Sequence, residues 1–111
     1  MNIYSYICIM IVQRNIDFEK IGLIANVLKT IAHPIRLEVL MALEKQEPLA
    51  VSDIKKEIGI EVEQSLLSHH LVKMKDRGVI QSKKEGKYIL YSICNREILH
   101  IFDCMEKCNL S

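Results

Sequence analysis

Mainly α with one small β-hairpin is the fold class that this sequence of 111 residues predicts. Three observations carry it. Apolar residues recur at spacings of three and four through most of the chain, the period of amphipathic helices. Two β-rich runs, "VIQSKK" and "KYILYSI", flank Glu85-Gly86, and a glycine in so short a connection signals a tight hairpin. No repeat, low-complexity run or Gly/Ser/Pro linker interrupts the pattern. Residues 17–111 therefore read as one domain behind an apolar extension, residues 1–16.

The elements follow in order. The extension, "MNIYSYICIMIVQRN", has no basic residue ahead of its apolar run and no small-residue cleavage site. It is too short to span a bilayer, so it reads as a packing element, with Met10 a second candidate start. From Asp17 the period is helical, and Phe18, Ile21, Ala25, Leu28 and Ala32 predict a buried stripe. "AHPIRLEVLMALEKQEP" starts a second helix, with Pro34 at its first position and Pro48 beyond its end. Its apolar side is Ile35, Val39, Leu40 and Leu43. "AVSDIKKEIG" is a short third helix, with Ser52 as candidate N-cap and Gly59 as stop. A fourth runs from about Glu63 to Arg77-Gly78, where glycine suits a left-handed cap. After the hairpin, "NREILHIFDCMEKCNL" closes the chain as an amphipathic helix capped by Asn95. Four helices, a hairpin and a terminal helix make the layout of a winged helix-turn-helix.

Composition fits a soluble globular protein, with 50% hydrophobic and 26% charged residues. The net charge is only +1, so the total does not announce a polyanion partner; its distribution says more. Between His69 and Lys87 stand six cations (Lys73, Lys75, Arg77, Lys83, Lys84, Lys87) against Asp76 and Glu85. The rest of the chain is net acidic, and one consecutive stretch holds the positive charge. Four cysteines, without signs of secretion, predict a cytoplasmic protein with reduced thiols and no membrane partner.

The fourth helix holds the main candidates. At about 100° per residue, Leu67, Leu71 and Met74 share a face that must enter the core. Gln64, Ser65, Ser68, His69, Val72 and Lys73 occupy the opposite one. Such a face can read base edges in the major groove: Gln pairs bidentately with adenine, and Ser and His reach bases or phosphates. Lys83, Lys84 and Lys87 surround the hairpin turn, where they can follow a neighbouring row of phosphates. A solvated helix face beside a polar hairpin is the plainer explanation, which the layout and the concentrated charge oppose.

His69 and His70 do not form a chelating pair, because adjacent helical side chains diverge by about 100°. His69 points with the reading face, while His70 reads as a structural hydrogen-bonding residue. The sequence contains no phosphate-binding glycine loop, HExxH motif or nucleophile–base–orienter set, which predicts binding rather than catalysis.

"IAHPIRLEVLMAL", "VSDIKKEIGI", "QSLLSHHLVKMKDRGVI" and "KKEGKYILYSI" together resemble the ArsR/SmtB family of small bacterial winged-helix repressors, over about residues 17–95. The resemblance implies a homodimer that binds an imperfect palindromic double-stranded DNA operator and releases it when an inducer binds. Gln64, Ser65, Ser68 and His69 fall on the family's DNA-reading positions, His70-Leu71 on its His-Leu, and Pro34 with Arg36 on its Pro-x-Arg. Two departures stand out. The turn before Gln64, "IEVE", is longer than usual, and Ala50-Val51-Ser52-Asp53 stands where the family's metal-binding Cys-x-Cys-Asp lies. The terminal helix also lacks the family's Asp-x-His…His zinc pattern.

A different sensor is conceivable there. His100, Cys104 and Cys108 are spaced i, i+4 and i+8, which on a continuous helix makes a ladder on one face, with Glu97 a turn earlier. Imidazole and thiolate suit a soft metal or metalloid ion, if the two terminal helices of a dimer supply enough ligands. The same thiols can serve as a redox sensor, or simply as small buried hydrophobes in a dimer seam; all three readings stay open. No cofactor is fixed by the sequence beyond this candidate soft metal or metalloid ion. A second class of function also stays open, since winged helices serve as protein-docking modules and the apolar N-terminus could meet a partner helix.

Overall fold

The computed structural model describes residues 17–108. The extension, with Cys8 and Met10, lies outside the described residues. Helix α1 is Phe18–Ile31, opened by Asp17, whose carboxylate accepts from Lys20 N–H at 2.8 Å. That contact satisfies a backbone donor left free at every helix start. Helix α2 is Pro34–Lys45, with proline at its first position as expected and His33 as N-cap, Nδ1 accepting from Ile35 N–H at 3.2 Å.

Strand β1, Leu49–Ala50, precedes helix α3, Val51–Glu57, and leads straight into it. The sequence reading missed β1, because two residues carry no period. It also misplaced the cap: extended Ala50 occupies the N-cap position, which leaves Ser52 inside the helix. α3 ends at Glu57, and Gly59 stops nothing through a left-handed backbone; its N–H donates to the Glu38 carboxylate on α2 at 3.2 Å. The long turn that follows is anchored by Val62, which is buried.

Helix α4, Gln64–Asp76, ends as the glycine predicted. Gly78 has φ +78°, its N–H donates to Lys75 O at 3.0 Å, and Val79 N–H donates to Met74 O at 2.9 Å. This pair of bonds is a Schellman cap, and buried Val79 supplies its apolar contact. Strands β2, Ile80–Glu85, and β3, Tyr88–Ile93, form the wing, with Glu85 opposite Tyr88. The turn is therefore Gly86-Lys87 rather than Glu85-Gly86; Gly86 at φ +60° takes the first central position, where a tight hairpin needs the left-handed backbone. β1 pairs antiparallel with β3 to give a three-stranded sheet of order β1-β3-β2.

A 3-10 turn, Arg96–Leu99, capped by Asn95 as expected, precedes helix α5, His100–Lys107. Arg96 pairs with Glu47 at 3.0 Å, and Glu47 also accepts from Ile93 N–H, which ties the sheet to the end of α2. The core gathers Val39, Leu40 and Leu43 of α2, Ile54 of α3, Leu67, Leu71 and Met74 of α4, and Ile80 of the wing.

The α1 stripe departs from expectation. Phe18 is 89% exposed, Ile21 40%, and Ala25 and Ala32 are exposed as well. Leu28 of the stripe is half-buried and packs with Val27 and buried Ile31 against the core. α1 is thus seated by its C-terminal half, while the apolar residues of its N-terminal half point out of the protomer. A period of 3.6 shows that a helix has an apolar face, not what covers that face.

Candidate nucleic-acid interface

Helix α4 separates its two faces cleanly. Leu67, Leu71 and Met74 are fully buried, while Gln64, Ser65, His69 and Lys73 are exposed and Ser68 is half-buried. Exposed Val72 and Leu66 interrupt the polar surface with apolar contact area. The Schellman cap fixes where α4 stops, and strand β2 starts two residues later, so the wing is held in a set direction from α4.

Lys83, Lys84 and Lys87 are exposed around the wing. Lys83 stands opposite Leu90 and Lys84 opposite Ile89, so the alternation of the strand sends them to the two faces of the ribbon. Lys87 Nζ lies 5.5 Å from the centre of the Tyr88 ring, which itself is exposed beside Ile89. Arg77, counted with the cations in sequence, instead donates to Asn26 Oδ1 on α1 at 2.7 Å.

The two histidines part as helical geometry requires. His69 is exposed on the polar face of α4; His70 is buried, and its Nδ1 accepts from Arg36 Nε at 3.1 Å. Arg36 also donates through Nη1 to the Thr30 carbonyl, at 2.8 Å, so one guanidinium joins α1, α2 and α4. The His33 ring lies 4.5 Å from that of His70. Burial, then the positive character of His33, Arg36 and His69, holds His70 below the ordinary histidine value, so the imidazole favours the neutral form. Sequence reasoning placed Arg36 on a family motif but gave it no task; an arginine among the apolar residues of α2 was the available signal.

The terminal-helix ladder is incomplete. α5 starts at His100 and ends at Lys107, and Cys108 takes the C-cap in extended backbone, which breaks the regular i, i+8 line. Cys104 and Cys108 are half-buried free thiols and Cys94 is an exposed one. Among the described residues no group of three or more His, Cys, Asp or Glu side chains is placed to hold a metal ion. One protomer alone therefore does not assemble the donor set that His100, Cys104 and Cys108 suggested.

Helix α3, a turn, helix α4 and a cationic two-stranded ribbon define a winged helix-turn-helix protein. Residues 33–82 match the family model described as bacterial regulatory protein, arsR family. The chain is 34% identical over 87 residues to the transcriptional repressor PagR of Bacillus anthracis, covering 78% of this chain and 85% of that one. It is 31% identical over 88 residues to the regulator NmtR of Mycobacterium tuberculosis, covering 79% and 71%. The crystal structure of PagR superposes with a TM-score of 0.69 at 32% identity, over 80% of this chain and 99% of that one. The chain belongs to the ArsR family of bacterial transcriptional regulators. No helix among the described residues is long and apolar enough to cross a membrane.

Proposed function

We propose that the protein is a homodimeric, sequence-specific DNA-binding repressor in which α4 enters the major groove and the wing follows the backbone. The observation that carries the reading is the division of α4: one face is wholly committed to the core, and the other, polar and exposed, adjoins the cationic wing. Gln64, Ser65, Ser68 and His69 present donors and acceptors to base edges, and Lys73, Lys83, Lys84 and Lys87 meet phosphates. Dimerisation is supported by the terminal helices. α1 exposes Phe18, Ile21 and Leu23, and α5 is amphipathic yet has no fully buried residue, so both leave apolar area for a second copy.

The relatives include a cadmium resistance regulator, CadC, of Listeria innocua, 34% identical over 80 residues. A soft-ion or thiol-reactive inducer acting on this chain at His100, Cys104 and Cys108 needs ligands beyond those one protomer gathers.

A gel shift with the DNA upstream of the protein's own gene, against random duplex, tests the reading. Retardation that is stronger on the upstream DNA and weakens with salt is expected; no retardation of either duplex favours a protein-docking module. Gln64→Ala should flatten discrimination at one base pair, each good bidentate pair being worth about 1–3 kcal/mol. Lys83→Ala should weaken binding alike on all sequences and lower the log–log salt slope by about 0.9.

A further inference from the structure

α4 is held by apolar packing and, at its middle, by a polar strut. The packing, through Leu67, Leu71 and Met74, fixes which face turns inward, but apolar contact is non-directional and tolerates small rotations. The strut is directional: Arg36 is bound at once to the end of α1, through the Thr30 carbonyl, and to the middle of α4, through His70. His70 adjoins His69 on the reading face. Asn26 and Arg77 make a second tie between α1 and the far end of α4. Resting on the reading of α4 as the DNA-reading helix, we propose that Arg36 and His70 are positioning residues that seat this helix for the groove, and that the seat holds only while the His70 imidazole is neutral.

The chemistry of the contact makes it conditional. Arg36 Nε is a donor only, so His70 must accept with an unprotonated Nδ1 and carry its single proton on Nε2. A second proton turns the acceptor into a donor facing a donor, and sets an imidazolium against a guanidinium. Among the described residues, no acidic group acts on His70 to offset that charge. The groups acting on His70 are His33 at the start of α2, Arg36 on α2 and His69 on α4 itself, all basic. α1 faces the strut with the Thr30 carbonyl, already engaged by Arg36 Nη1. α3 and β2 add apolar Ile54 and Ile80 to the core beneath α4. Acidification therefore breaks the strut and leaves the middle of α4 held by packing alone, with the Asn26–Arg77 tie remaining at its far end.

The other histidines act differently. His69 is exposed on the polar face of α4 and takes no part in the strut. His33 uses Nδ1 to cap α2, a task asparagine performs as well. His70→Asn keeps an acceptor near the Nδ1 position and cannot titrate.

Operator affinity, measured by fluorescence anisotropy at constant salt between about pH 8 and pH 5, tests the proposal across the histidine range. The parent should lose about tenfold in affinity toward acid, a change worth about 1.4 kcal/mol. His70→Asn should bind within about threefold of the parent at pH 8 and hold its affinity in acid, whereas Arg36→Gln should bind weakly at every pH. His33→Asn should keep the acid loss. A parent that is flat in acid, or a His70→Asn variant that titrates like the parent, overturns the inference. Nitrogen NMR of the free parent protein reads the same inference without DNA: neutral His70 with its proton on Nε2, protonating below 6.5, is expected. An Nδ1–H tautomer or an imidazolium at neutral pH overturns it. Failure to bind any duplex, with the NMR result as expected, refutes the DNA reading instead.

Discussion

Leu71 and Ser65 lie on one helix with opposite tasks, and substitution should separate them. Leu71 is fully buried among α2, α3 and the wing, so Leu71→Ala leaves a cavity and should cost about 2–5 kcal/mol in urea denaturation. Ser65 is exposed, so Ser65→Ala should change stability by under about 0.5 kcal/mol while weakening operator binding in a gel shift. That division was legible in the sequence because a 3.6-residue period fixes relative direction around an axis. The strut of Arg36 was not, because a contact between residues 36 and 70 depends on how two helices cross. It also shapes stability. His70 is held below its unfolded value near 6.5, so between the two values the unfolded chain binds more protons. Stability contributed by neutral His70 is thus full above 6.5 and is lost as pH falls through the folded value. Urea midpoints measured down that range should fall less steeply in His70→Asn than in the parent.

At the scale of elements, helices were read well and short β features poorly. Proline at the start of α2, glycine after α4 and asparagine before the final 3-10 turn each fixed a boundary by a local chemical need. β1 has two residues and exists only because β3 lies beside it, which no local pattern could show. The wing turn falls one residue later than its glycine suggested, since Gly86 fills the first central position of the turn rather than the second. The cap between α4 and β2 has more consequence, because it sets the angle between reader and wing. Gly78 at φ +78° has open space around it, so Gly78→Ala meets no clash but forces a side chain into the left-handed region. The expected loss is about 1–2 kcal/mol by thermal denaturation. Operator affinity should fall as well if α4 ends differently.

On the scale of the whole molecule, the apolar faces of α1 and α5 have the same explanation. A protomer with Phe18 89% exposed and Leu23 67% exposed shows water more apolar surface on one helix than a monomer has reason to keep. α5 repeats the pattern, with Ile101, Phe102 and Met105 only half-buried. The sequence showed that both terminal helices were amphipathic, but a stripe buried inside a protomer and one buried between protomers have the same period. Phe18→Glu combined with Ile21→Glu discriminates them. Both positions are exposed, and glutamate is a good helix former near a helix N-terminus, so the fold itself should survive. If the face is a dimer seam, sedimentation equilibrium should show the parent as a dimer and the double variant as a monomer. The parent's melting temperature should rise with protein concentration, and the variant's should not. DNA binding then follows by geometry: a protomer alone meets one half-site, and loss of the partner removes the second reading helix about one helical turn away. The variant should bind a single half-site about as well as the parent does, and lose the parent's preference for two half-sites in register. A variant that stays dimeric and keeps that preference would place the seam elsewhere.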